Sequence, residues 1–110
     1  MANVFSRKSS RNIGTSLTAV GSYTVGGGVV TTVIGLSVCN TTASPITVDV
    51  TLYDGTNDTY LAKGAGVPVG NAFIPIGGDE KVVLIAGDSI RVKSSAATSV
   101  DAVMSILEIS

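Results

Sequence analysis

Residues 89–110 read SIRVKSSAATSVDAVMSILEIS. The stretch divides into a strand, a short polar turn and a longer strand over about residues 99–109. In the first strand Ile90 and Val92 alternate with Arg91 and Lys93, the mark of a sheet with one buried face. The second strand breaks that rule. Val100, Ala102, Met104 and Ile106 fall on one face, while Val103, Leu107 and Ile109 fall on the other, interrupted by Asp101 and Ser105. KVVLIA, residues 81–86, is two-sided in the same way, with Val82, Leu84 and Ala86 against Val83 and Ile85. A two-layer sandwich covers one face of each sheet, so a two-sided strand needs a second cover.

Upstream, the pattern stays β. ITVDVTLYD, residues 46–54, alternates cleanly: Ile46, Val48, Val50 and Leu52 inward, Thr47, Asp49, Thr51 and Tyr53 outward. In VVTTVIGLSVCN, residues 29–40, Val30, Thr32, Ile34, Leu36 and Val38 form one stripe, and Gly35 predicts a bulge or close backbone packing. AVGSYTV (19–25), ended by Gly26, Gly27 and Gly28, reads as a first strand. TYLAK (59–63) and NAFIPI (71–76) are short strands, the latter carrying Pro75 as an edge or a bulge would. Turn residues separate them all. The expected fold is all-β: an antiparallel β-sandwich or small jelly roll of about eight short strands over residues 18–110.

Composition agrees. The 110 residues suit one domain. Charged residues are only 14%, and 13 are glycine. Net charge is −1, unevenly spread: Arg7, Lys8 and Arg11 stand among the first eleven residues without an acid. The other four basic residues face all eight acids, so a basic segment precedes an acidic body. Residues 1–17, MANVFSRKSSRNIGTSL, lack a sustained period. They read as an extended arm ordered on a neighbour, or as a disordered tail, with Val4, Phe5 and Ile13 as apolar docking points. The acidic body lacks the basic surface nucleic acid requires. No 18-residue apolar run is long enough to span a membrane, and no signal-peptide core is present, so the sequons at Asn40 and Asn57 read as fortuitous.

Chemistry has few candidates. There is no histidine, so neither a hydrolase triad nor a histidine-bearing zinc site can be assembled. Cys39, the single cysteine, lies in an apolar pattern and is expected as a small buried side chain. DGTND, residues 54–58, resembles a loose calcium loop but supplies few of the six to eight oxygens calcium takes, and reads better as a turn. Gly26–Gly28 is followed by neither a helix nor a Lys-Ser/Thr pair, so it is no phosphate loop. Gly87-Asp88 suits a corner between strands. Tyr23, Tyr53 and Tyr60 suit packing, or stacking on sugars or bases. No catalytic residue, cofactor site or metal site can be nominated, and the chain is expected to be a non-enzyme that binds or builds.

Three segments carry a family resemblance: MANVFSRKSSRNIGTSLTAVGSYTV (1–25), VIGLSVCNTTASPITVDVTL (33–52) and YLAKGAGVPVGNAFIPIGGDEKVVLIAGDSIRVKSSAATSVDAVMSILEIS (60–110). Together they resemble small virion structural proteins of tailed bacteriophages. The resemblance spans nearly the whole chain and rests on apolar and turn residues rather than on a functional motif. It implies a β-sandwich virion component made in the cytoplasm of a bacterial host. Its place is that of a capsid decoration or cement protein, or of a neck, tail or baseplate accessory protein or fibre adaptor. A carbohydrate-binding adhesin module is the competing reading. The implied partners are further copies of the chain and capsid or tail proteins. The expected contact residues are Val4, Phe5, Arg7, Lys8 and Arg11 on the arm and Val103, Leu107 and Ile109 on the last strand.

Overall fold

The computed structural model describes residues 3–110, which form nine antiparallel strands and one short 3-10 turn. The strands are β1 (Asn3–Ile13), β2 (Thr18–Ala19), β3 (Val30–Asn40), β4 (Ile46–Tyr53), β5 (Asp58–Val67), β6 (Ala72–Ile76), β7 (Val82–Leu84), β8 (Ser89–Ser94) and β9 (Val100–Ile109). One sheet runs β1-β9-β3-β6, with β7 following β6 along the same edge of β3; the other runs β2-β8-β4-β5. Pairing is nested. β1 meets β9, β2 meets β8, β3 meets β6 and β7, and β4 meets β5. A long hairpin rolled up on itself gives this order, so the sandwich is a jelly roll.

The core lies between the sheets. Val33, Leu36, Val38, Leu84, Val100, Ala102, Met104 and Ile106 from the five-stranded sheet meet Val48, Val50, Val67, Ile90 and Val92 from the four-stranded one. The inward half of the alternation expected for β4 and β8 holds: Ile46, Val48 and Val50 are buried and Leu52 is half-buried at the strand end, but Thr51, expected outward, is completely buried. β9 likewise buries Val100, Ala102, Met104 and Ile106 completely.

Three expectations change. In β3 the pairing with β9 slips between Val33 and Gly35, so Ile34 and Gly35 together oppose Ser105. That bulge reverses the alternation. Thr31 and Val33 face the core before it, Leu36 and Val38 after it, and Val30 and Thr32 turn outward. Residues 19–25 are not a strand. After two residues of β2, Gly21 takes φ +64 in a 3-10 turn, Val20–Ser22, and only Val20, Tyr23 and Val25 of this segment enter the core. Residues 3–13, expected within an extended arm ordered on a neighbour or in a disordered tail, are the edge strand β1 and pair with the chain's own β9 from Asn3–Ile109 to Ser10–Ala102. Met1 and Ala2, also assigned to the arm, lie outside the described residues. The backbone ladder holds β1, because Ser6, Lys8 and Ser10 are what it turns inward.

Candidate functional site

The two outer faces of the sandwich differ in kind. Residues opposite one another in an antiparallel ladder share a face, so the registers lay out each surface. Outside the five-stranded sheet, Phe5, Leu107, Thr32 and Val83 form one row across β1, β9, β3 and β7. Asn3, Ile109 and Val30 form the next. Phe5 is 75% exposed, and Val30, Val83 and Ile85 are exposed with it. Further along, Arg7 lies opposite Ser105, and Ser9, Val103 and Ser37 make a third row. Val103 is 47% exposed. Beside it the β3 bulge opens a shallow groove of about 350 Å³. Ile34, Gly35, Ile74, Gly77, Val103 and Ser105 are among its lining residues, and Ile74 is 64% exposed. These apolar side chains are grouped on one face, which makes that face the candidate contact surface.

The four-stranded sheet presents charge instead. Arg91 pairs with Asp58 at 3.3 Å and lies 4.2 Å from the centre of the Tyr53 ring. Beneath this cluster Thr51 is wholly buried, and its hydroxyl donates to Asp58 Oδ1 at 2.7 Å. Lys93 pairs with Asp49 at 3.6 Å. These groups satisfy one another at the solvent boundary, while Tyr60 and Leu61 on the adjoining β5 are exposed.

The expected contact residues therefore separate. Phe5, Val103, Leu107 and Ile109 belong to the apolar outer face, with Arg7 between its rows. Leu107 and Ile109 are half-buried there by their neighbours. Val4 and Lys8 project from the other side of β1, where Lys8 Nζ lies 5.1 Å from the centre of the Tyr23 ring. Arg11 is exposed at the register break between Ser10 and Ile13. Sequence reasoning missed Val30, Ile74 and the Phe5–Leu107–Thr32–Val83 row. Val30 was hidden by the bulge, and the row is set by cross-strand pairing.

The chain is similar to a pentameric capsid protein isolated from metagenomic phage sequences. Two crystal structures of that protein match, each at 21% identity with a TM-score of 0.40, covering 94% of this chain and 59% and 60% of theirs. The chain thus spans about three fifths of the length of the structures it matches. No protein-family model matches it, and neither does any curated protein.

The other candidate features resolve into structure. Asp54 Oδ1 accepts the backbone N–H of Thr56 at 2.9 Å and of Asn57 at 2.7 Å, which holds its carboxyl below the usual range and closes the turn. Asp58 is engaged by Arg91, and among the described residues no three acids, cysteines or histidines gather as metal ligands. Asp88 Oδ2 accepts the Ile85 N–H at 3.0 Å, and Gly87 takes φ +92, so Gly87-Asp88 is the expected corner. Cys39 differs from expectation: it is half-buried, because the residues that follow the bulge with odd numbers face outward. Tyr23 is buried and separate from Tyr53 and Tyr60. Those two lie on the charged face, stacked with Arg91 and Lys63 respectively. A larger open cleft of about 660 Å³ lies among Pro45, Ile46, Gly66, Val67 and Pro68, and no titratable side chain lines it.

Proposed function

We propose that the chain is a non-enzymatic structural protein of a tailed-phage virion, a capsid decoration or cement protein that assembles through β1 and the outer face of its five-stranded sheet. The observation that carries the self-assembly is the contrast between the two faces: one charged and internally paired, the other apolar and open. The virion setting rests on the sequence resemblance over residues 1–25, 33–52 and 60–110. Jelly rolls serve both viral capsids and lectins, so the surfaces rather than the fold favour assembly over sugar binding. Placement in the neck, tail or baseplate is the alternative within this reading, and copy number separates the two. Purified particles would contain the chain in hundreds of copies as a capsid component, and in sixes or twelves as a tail component. A density map of the whole particle together with quantitative protein analysis measures this. Absence of the chain from particles overturns the proposal.

A further inference from the structure

β1 is held to its sheet in an unusual way. It pairs along its length with β9, yet residues 3–11 bury no apolar side chain. Ser6, Lys8 and Ser10 face inward, Val4 is exposed, and Phe5 lies on the outer face. The first side chain of the segment to enter the core is Ile13. Between strand and anchor the register breaks, and the chain bends at Asn12, which takes φ +58, a left-handed conformation that asparagine adopts more readily than most residues, with its N–H donated to Asp101 Oδ1 at 3.0 Å. A ladder without apolar anchoring, followed by a bend and a fixed residue, is a strand on a hinge.

We propose that residues 3–11 form an exchangeable strand, which leaves its own β9 and completes the five-stranded sheet of a second copy of the chain in the same register. Both halves of the contact are visible: the edge of β9 is the site, and residues 3–11 are its occupant. The polar contacts carry over. Ser10 Oγ accepts the Gly21 N–H at 2.8 Å, and Lys8 lies over Tyr23; both partners belong to the receiving sandwich. Each ladder bond broken in one copy is remade in the other, so exchange costs little in bonding. A strand tethered to its own site has an effective concentration in the millimolar range, which keeps a dilute chain closed. Copies held side by side through the outer face lose that bias. The inference extends the self-assembly reading, and its test separates the two.

The test uses a Cys39→Ser background. Ser9 and Val103 are Cα partners at exposed positions, and paired strand positions fit disulfide geometry. Ser9→Cys in one tagged chain is mixed with Val103→Cys in a chain bearing a different tag, then mildly oxidised. A parallel mixture replaces Val103→Cys by Ser37→Cys, the next position of the same outer-face row on β3, which contact between outer faces reaches as readily and an exchanged β1 does not pair with. Exchange predicts a mixed disulfide forming roughly a hundredfold faster than in the parallel mixture at micromolar protein. Gly21→Ala should abolish the excess, because its Cβ would lie 2.6 Å from Lys8 Cβ and obstruct any β1, native or exchanged. Equal rates in the two mixtures overturn the exchange. If sedimentation still shows self-association in that case, the outer-face reading survives; if the chain is monomeric, that reading falls as well.

Discussion

Leu107 is half-buried, yet none of that burial comes from the core, which β9 meets through Met104 and Ile106. Leu107→Asp should therefore lower the stability of the isolated domain by only about 1 kcal/mol, a surface-type cost. The same change places a charge in the middle of the Phe5–Leu107–Thr32–Val83 row and should abolish self-association. Thermal melts and sedimentation on one sample separate the two effects; unfolding of the variant would assign Leu107 to the core. Tyr23 makes the opposite case. Its hydroxyl donates to Glu108 Oε2 at 2.9 Å and lies 2.7 Å from the buried Thr31 hydroxyl, joining the 3-10 turn segment to β3 and β9. Tyr23→Phe leaves Thr31 without that partner and should cost about 1–3 kcal/mol. Burial raises the Tyr23 pKa above its ordinary 10.0. Above pH 10.0 the unfolded chain loses this proton first, so stability present below that pH declines as the pH rises through the folded value. Denaturant midpoints measured across that range should fall with pH in the native chain and fall less steeply in Tyr23→Phe.

At the scale of elements, the bulge in β3 is the decisive device, because one extra residue reverses every side chain on the far side of it. Val33, before the slip, is completely buried, while Val30 is exposed. Val33→Asp should unfold the domain, since it puts an unpaired charge in the core, whereas Val30→Asp should change its stability by less than about 1 kcal/mol. Circular dichroism melts of the two variants check this, and a reversed order of stabilities would place the bulge elsewhere. The same device marks where reading the sequence stops. Strands β4, β8 and β9 are legible because their inward apolar residues keep a period of two along the strand. In β3 the extra residue made Val30 and Thr32 look continuous with Leu36 and Val38. β1 left no apolar alternation because its inward positions are Ser6, Lys8 and Ser10, and a backbone ladder has no sequence signature. Residues 19–25 carry strand-like side chains, but Gly21 at positive φ turns them. The open outer face was legible in part: Val103, Leu107 and Ile109 are apparent as a second face of β9, whereas their neighbours Phe5, Thr32 and Val83 come from pairings 50 or more residues distant or across a separate edge.

Across the whole molecule two forces offer routes to the proposed self-assembly. The basic residues Arg7, Lys8 and Arg11 sit on or beside β1, and the remainder of the chain is acidic, so charge attraction between copies is one route. The apolar outer face of the five-stranded sheet is the other. They respond to salt in opposite ways. Attraction between exposed charges is screened over about 10 Å at 0.1 M salt and fades as salt is added. Apolar burial is strengthened by excluded salts such as sulfate, and it gives association a negative heat-capacity change. Four of the charges on the four-stranded face are already paired within the chain, as Arg91–Asp58 and Lys93–Asp49, which leaves those four little to offer a second copy. Self-association should therefore hold or tighten between about 0.1 and 0.5 M sodium sulfate, with a negative heat-capacity change by calorimetry. Neutralising Arg7 and Arg11 together, as Arg7→Gln and Arg11→Gln, should leave its strength within about twofold, whereas Phe5→Ser with Val83→Thr, which removes apolar surface from the outer row, should weaken it by roughly 1–3 kcal/mol for each large side chain withdrawn from burial. Association that weakens steadily with added salt, and collapses on losing the two arginines, would transfer the contact from the outer face to the basic strand.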